Sequence, residues 1–464
     1  MQSCNCMAAL NLKRNLMTTA SQSLARYATG LKYEQIPTEV VERAKDSLID
    51  TVAACVLGAQ MPWTQTVIEY ARRNSASGES NVLGTPLKLR APFACLCNGA
   101  SAHAFELDGL CEPSVGMHPG AALAVPGLAV AQGRKKSGRE LIEAFVAGFE
   151  ILYRIGQATH HSPEKLGFHA PGVMGVYGVS AVVAKLFNER AEQMAHAFGI
   201  AGSMSSGLME FSCSGGLVKR LHLGRAAEGG FLAAALARDG YTGPAEVLEG
   251  KYGSLNTFCR DAEPARMTQE LGTVWHTMKI KFKRYACHAN AQVPVTLALD
   301  LKATHGITGD DVARIALAVN EKTLSHHNIP EPSDLAMAQY SVPFSTALAL
   351  YFDPTDPWVF CDKNVNDSRI RALSKTTTLE PMPSTGSQVS MATRVTLHLK
   401  NGKTVSAEGD NFKGTPTMPL TRGELLEKFL KLTAHRARPK AERLFSQLAD
   451  AENVKDISAL DFAL

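Results

Sequence analysis

Two short stretches hold the side chains best suited to chemistry. ELDGLCEPSVGMHPG at 106–120 carries Asp108 and His118, and KFKRYACHANAQ at 281–292 carries Lys283 and His288. Each sets acid–base or cationic groups among Ala, Gly and aliphatic residues. Ionisable groups in apolar surroundings shift their pKa values and become able to transfer protons or bind carboxylates. A loop rich in Pro and Gly separates Asp108 from His118, so a helix end and a following helix start would bring them together. Spacing alone leaves open a loop Asp that caps a helix and a His on the surface.

Further candidates lie between these stretches. His169, in KLGFHAPGVMGVYG, precedes a Pro-Gly helix start and would meet an anion beside helix N-terminal amides; a purely structural His fits there equally. GLVKRLHLGRAAEGG at 216–230 gathers Lys219, Arg220, His222 and Arg225, and helical spacing puts Lys219, His222 and Arg225 on one face. That face suits a di- or tricarboxylate as well as it suits solvent. In TMKIKFKRY at 277–285, Lys279, Lys281 and Lys283 alternate with Ile280 and Phe282 at a strand period, so part of that row is expected to be merely exposed.

The elements that must position these groups fall into two textures. TEVVERAKDSLIDTVAACVLGAQ at 38–60 starts after Pro37 and repeats Val41, Ala44, Leu48, Val52 and Cys55 at helical spacing. Segments near 93–107, 120–133, 139–155, 173–187, 191–210 and 223–239 continue the pattern and are rich in Ala, Gly and Ser, which allows close helix contact. From about 270 the pattern turns to strands. ARIALAVN at 313–320 reads as one, and RVTLHLKNGKTVSAEG at 394–409 reads as a hairpin with a two-residue Asn401-Gly402 turn. After GTPTMPLT, the segment from 421 returns to helix, with Leu425, Phe429 and Leu432 on one face. The expected fold is mainly α: a large helical domain, 18–268 plus 421–464, with an inserted α+β lid, 269–420. Clefts between domains are common ligand sites.

Composition narrows the class. With 464 residues, 45% hydrophobic and 20% charged, the chain is an ordinary globular one. A net charge of +4 without a basic–aromatic tract gives no reason to expect nucleic acid. The longest apolar runs fall short of the roughly 20 residues of a membrane span. Ten irregularly spaced cysteines suggest neither a disulfide framework nor, as C-x-C pairs, a zinc or iron–sulfur site. The first 33 residues lack Asp and Glu but hold Lys13, Arg14, Arg26 and Lys32, as a mitochondrial transit peptide would. Globular sequence nevertheless begins near Ser21 and Met17 offers an alternative start, so a cytoplasmic location is expected, with the mitochondrial matrix as the alternative and no function before Thr18.

Taken with their intervening sequence, these blocks resemble the MmgE/PrpD family, which includes 2-methylcitrate dehydratase and cis-aconitate decarboxylase. The matching stretches are GASAHAFELDG with MHPG, GFHAPGVMGVYG, SSGLMEFSCSGGLVKRLHLGRAAEGG, GPAEVLEGKYG, KRYACHANAQ and AQYSVPFSTALAL. The resemblance implies a helical domain with an α+β lid, a homodimer, and no metal or organic cofactor. It also implies a site in one interdomain cleft, with Asp108, His118, His169, Lys219 and Lys283 catalytic and His288 and Tyr340 binding substrate. Many relatives read D-F-D-D in the first block, where this chain has Asp108-Gly109-Leu110-Cys111 and so lacks the later acids. The expected activity is a cofactor-independent lyase on a small di- or tricarboxylate, with dehydration of a 2-methylcitrate-like acid as the leading reaction. A decarboxylase or isomerase on the same scaffold is the alternative, and a silent acid-binding paralogue the reading from another class. Dehydration, decarboxylation and epimerisation share a carbanion stabilised next to a carboxylate. Lysines would neutralise the substrate charge while a His–Asp pair moves protons near neutral pH.

Overall fold

The computed structural model describes residues 18–111, 117–160, 162–382 and 391–464. The extreme N-terminus with its transit-peptide reading, Cys4 and Cys6, and the middle of the loop between Asp108 and His118 lie outside the described residues. We number only helices of ten or more residues.

The helical part comprises α1 (Ala20–Gly30), α2 (Thr38–Gly58), α3 (Pro62–Asn74), α4 (Ala91–Ala102), α5 (Val125–Arg134), α6 (Gly138–Ala158), α7 (Ala170–Leu186), α8 (Ala191–Ala201) and α9 (Val218–Arg238). Helix α7 is buried along its whole length. Its sequence, APGVMGVYGVSAVVAKL, has no polar face to give to water, so it becomes the axis around which α6, α8 and α9 pack. Ser137 opens α6 with a capping box to Glu140, a device worth about 1 kcal/mol. The helix expected over 191–210 stops at Ala201, passing into a short 3-10 turn at Gly202–Met204. At the contact of α4 with α9, a side chain on Gly99 would sit 2.8 Å from the Gly224 Cα. That close backbone approach places the first turn of α9 beside the segment that follows α4.

Two short ladders and one sheet make up the strands. β1 (Ser77–Asn81) pairs with β2 (Lys88–Leu89), and β3 (Leu110–Cys111) pairs antiparallel with β4 (Ile280–Lys281). The four-stranded sheet runs β6-β5-β7-β8, from β5 (Val312–Val319), β6 (Thr378–Pro381), β7 (Thr393–Leu399) and β8 (Thr404–Gly409). β5 and β6 are parallel and the other pairs antiparallel. Burial alternates along β7, as a half-covered strand requires, and α10 (Ala289–His305) covers the inner face, itself backed by α11 (Val342–Tyr351). The closing helices α12 (Arg422–Leu432) and α13 (Arg438–Ala449) return to pack on α2.

Two local expectations are corrected. The hairpin after Leu399 has a three-residue loop, closed by Gly402 N–H to the Leu399 carbonyl and Leu399 N–H to that of Lys403. Gly402 alone takes the left-handed conformation, with φ of 86°, as a turn followed by a bulge requires. The strand expected over 277–285 shrinks to Ile280–Lys281, because His276–Lys279 is a 3-10 turn. The Glu150 carboxylate holds that turn by accepting from the backbone N–H groups of His276 and Thr277.

Candidate active site

The two-residue ladder β3–β4 joins the two stretches with which the chemistry began, pairing Leu110 with Lys281 and Cys111 with Ile280. Gln339 reinforces the junction. Its side-chain Nε2 donates to the carbonyls of Phe105 (3.1 Å) and Ala286 (3.0 Å), while its backbone carbonyl accepts from His288 N–H at 2.8 Å. Gln292 shapes the turn between Lys283 and His288. Its Oε1 accepts from the N–H groups of Arg284 and Tyr285, and its Nε2 donates to the carbonyls of Tyr285 and Cys287. From α12, Lys428 pairs with Asp50 of α2 and donates to the Leu107 carbonyl at 3.1 Å.

Asp108 is fully buried and faces two imidazoles. His118 Nδ1 lies 2.8 Å from Oδ2, and His103 Nδ1 lies 3.1 Å from both carboxylate oxygens. Burial alone would raise the Asp108 pKa, but the two rings outweigh it and hold the group well below the usual carboxylate range. Burial pushes His103 down to about 4 against the opposing pull of Asp108. His103 is therefore neutral near pH 7, and its Nδ1–H is the hydrogen shared with Asp108. With His118 Nδ1 likewise engaged, its Nε2 is the nitrogen left to exchange a proton with a substrate. His118 keeps 17% of its side chain exposed, whereas His103 keeps none. The rings meet edge to face at 4.5 Å.

A second carboxylate, which sequence reasoning passed over, organises the lysines. Glu106 is 1% exposed and takes a left-handed backbone conformation, with φ of 57°. A non-glycine residue held there at a buried site is strained and fixed by its surroundings. One carboxylate oxygen pairs with Lys219 of α9 and the other with Lys283 from the segment after β4, the latter at 3.2 Å. Burial again works to raise the Glu106 pKa, and the two lysines overcome it to hold the group well below its ordinary range. Burial lowers the Lys219 pKa, with Glu106 opposing. The acids of the first block are thus Glu106 and Asp108. Leu110 and Cys111 instead lie buried in β3, where a carboxylate would be desolvated.

The remaining expected residues gather around this core. Lys219 Nζ lies 4.6 Å from the centre of the Tyr340 ring, whose other neighbours are His288 at 5.1 Å and His327 at 5.6 Å. His288 caps α10, its Nδ1 accepting from Asn290 N–H at 3.3 Å, which leaves Nε2 to carry the proton. It stacks on His327 at 3.9 Å. Burial drives His288 well below its usual range and His327 down to about 3. His169 stands at the N-cap of α7, its Nδ1 3.0 Å from the Nδ1 of His222, and burial pushes both rings down.

Asp108, His118, Lys219, Lys283, His288 and Tyr340 thus form one contiguous cluster, with His169 and His222 as a separate pair beside it. Arg225 points away, exposed and paired with Glu228. Lys279 and Lys281, half-buried, also stay outside, Lys279 donating to the Tyr153 hydroxyl at 3.0 Å. His103, Glu106, His327 and Gln339 were missed. Charged or imidazole side chains inside the Ala-rich GASAHAFELDG were the available signal for His103 and Glu106, whereas nothing local marks His327 or Gln339. His103, Asp108 and His118 also offer ligand atoms within 4.8 Å of one another, which a divalent ion could use. Hydrogen bonds between both rings and Asp108 already satisfy that carboxylate.

Sequence models of the MmgE/PrpD N-terminal and C-terminal domains match residues 22–267 and 285–452. The chain belongs to the MmgE/PrpD family. It is 32% identical over 305 residues to cis-aconitate decarboxylase of Aspergillus terreus, an alignment covering 63% of this chain and 62% of that one. The chain thus matches somewhat less than two thirds of that relative's length. Identity to the cis-aconitate decarboxylases of Mus musculus and Homo sapiens is 25% and 26%, over 96% of this chain and 93% and 94% of theirs. No helix among the described residues is long and apolar enough to cross a membrane.

Proposed function

We propose that this protein is a lyase of small carboxylic acids and that its reaction is decarboxylation of a cis-aconitate-like tricarboxylate. The observation that carries the reading is the adjacency of a lysine pair on Glu106 to an imidazole pair on Asp108, inside a family whose similar members are named cis-aconitate decarboxylases. Dehydration of a 2-methylcitrate-like acid, the leading expectation from sequence, uses the same parts, but the relatives favour loss of carbon dioxide.

The chemistry follows from charge. Breaking a carbon–carboxylate bond releases carbon dioxide and leaves an electron pair in the adjacent allylic system. Lys219 and Lys283 offset the charge of the carboxylates that remain and so lower the cost of that carbanion. One proton must then reach carbon. His118 delivers it from Nε2 while Asp108 holds Nδ1–H and stabilises the imidazolium before transfer. His288 and Tyr340 would orient the substrate from the lid side. We take 269–420 as that lid, closing on substrate to exclude water. A homodimer is part of the proposal, with Leu208, Leu217 and Val218 exposed near the site in its support.

The experiment is incubation with cis-aconitate, citrate and 2-methylcitrate in deuterated water, followed by proton NMR. We expect cis-aconitate to lose carbon dioxide and gain one deuterium on carbon, unaffected by a chelator. Appearance of an alkene from a hydroxy acid alone would restore dehydration. No change with any acid would favour a silent binding paralogue, and inactivation by the chelator would assign an ion to His103, Asp108 and His118.

A further inference from the structure

Arg220 follows Lys219 in the first turn of α9 and is 5% exposed. A guanidinium cannot shed its proton to relieve burial, so burying one without an anion is costly. Of the seven other buried cations among the described residues, six touch a carboxylate, namely Lys45, Arg154, Lys185, Lys219, Lys283 and Lys428, while Arg43 lies over the Phe282 ring. Among the described residues no carboxylate lies within ion-pair distance of Arg220. Its Nε makes one long bond to the Ala104 carbonyl at 3.5 Å, its Nη2 is buried with no partner, and its plane sits over Trp63 with Cζ 5.4 Å from the ring centre. The Trp63 indole N–H is also buried without an acceptor.

Its place connects this unpaired charge to the site. Ala104 lies between His103 and Glu106, and Arg220 adjoins Lys219, so the guanidinium flanks the Lys219–Glu106 pair and acts electrostatically on Tyr340. Lys219, Lys283 and Arg220 supply three cations against the single carboxylate of Glu106, Asp108 being held by its two rings. We propose that Arg220 is a third carboxylate-binding cation of this site, seated on Trp63, and that it selects tricarboxylates over dicarboxylates. This rests on the lyase reading above.

The test is calorimetric binding of tricarballylate, an unreactive tricarboxylate, and of glutarate, a dicarboxylate. Wild-type protein is expected to prefer tricarballylate. Arg220→Gln is expected to weaken tricarballylate roughly 10- to 100-fold, the worth of a charged hydrogen bond, and glutarate less than about threefold. Equal weakening of both acids, or none, overturns the inference, since a merely structural role does not discriminate by the third carboxylate. Should Arg220→Gln not fold, Arg220→Lys keeps the charge but loses the fork, and about tenfold selective loss is expected; wild-type selectivity in it overturns the inference. Failure of wild-type protein to bind either acid would instead overturn the lyase reading, and this one with it.

Discussion

Glu106→Gln removes one negative charge and almost no volume, and it strands two ammonium groups that are 5% and 1% exposed. Breaking a buried ion pair by deleting one partner costs about 3–5 kcal/mol, because the remaining charge is left without compensation. For 464 residues, at roughly 1 kcal/mol per degree of unfolding entropy, that corresponds to a fall in melting temperature of roughly 3–5 °C. The pH dependence has a definite sign at both ends. Glu106 has its folded pKa well below the ordinary value, so its stabilisation is present above about pH 4.3 and lost as pH falls through the folded value. The gap between wild type and variant therefore closes in acid. It narrows in alkali too, because Lys219, already lowered by burial and now without Glu106, releases its proton before the unfolded chain does. Thermal melts at pH 3.5, pH 7 and pH 9.5 read both effects, and adding Lys219→Met to Glu106→Gln should recover part of the loss by removing one of the two stranded charges. A variant within about 0.5 kcal/mol of wild type at pH 7 would refute the view that this buried triad stabilises the site.

Three further outcomes are expected. His118→Ala should abolish turnover while leaving the melt nearly unchanged, since the ring is partly exposed; retained activity would remove it from proton delivery. Acid should destabilise the wild-type protein from about pH 6.5 downward. Burial holds His103 at about 4 and His276 and His327 at about 3, so the unfolded chain takes up protons that the folded one refuses. A melting temperature at pH 5 several degrees below that at pH 7.5 checks this, and equality would mean those rings protonate in place. Lys428→Met should cost about 3–5 kcal/mol by stranding Asp50, and it should lower kcat more than it raises KM by loosening the segment around Leu107; an unaltered kcat would uncouple that helix from the site.

Helices were legible wherever a pattern repeated over several turns. α2, α6 and α9 fall close to where apolar spacing put them, because burial of one face dictates both the period and the element, whereas α7 is buried all round and was legible as a long apolar run. Short elements were not, since two-residue strands and 3-10 turns are decided by distant partners: Glu150 holds the turn at 276–279 that alternation had made a strand. The site divides similarly. Asp108 and His118 stood out as an acid and an imidazole across a Pro-Gly loop, but spacing left a capping Asp and a surface His open, and the resemblance to the MmgE/PrpD family supplied the choice. Glu106 looked like one more charge near a helix end, and only the lysines arriving from α9 and from beyond β4 turn it into the hub of the cluster. Gln339 owes its role to a contact with Phe105, 234 residues away, and His327 to packing on His288 and Tyr340 from other elements, which no short window of sequence reveals.

The bond from Lys428 to the Leu107 carbonyl gives helix α12 a grip on the peptide between Glu106 and Asp108. During synthesis, the first four hundred residues emerge with both acids in place but with that peptide untied. The peptide between the two acids is tied only once α12 has docked on α2, so the spacing of Glu106 and Asp108 is completed by a segment more than three hundred residues further along the chain.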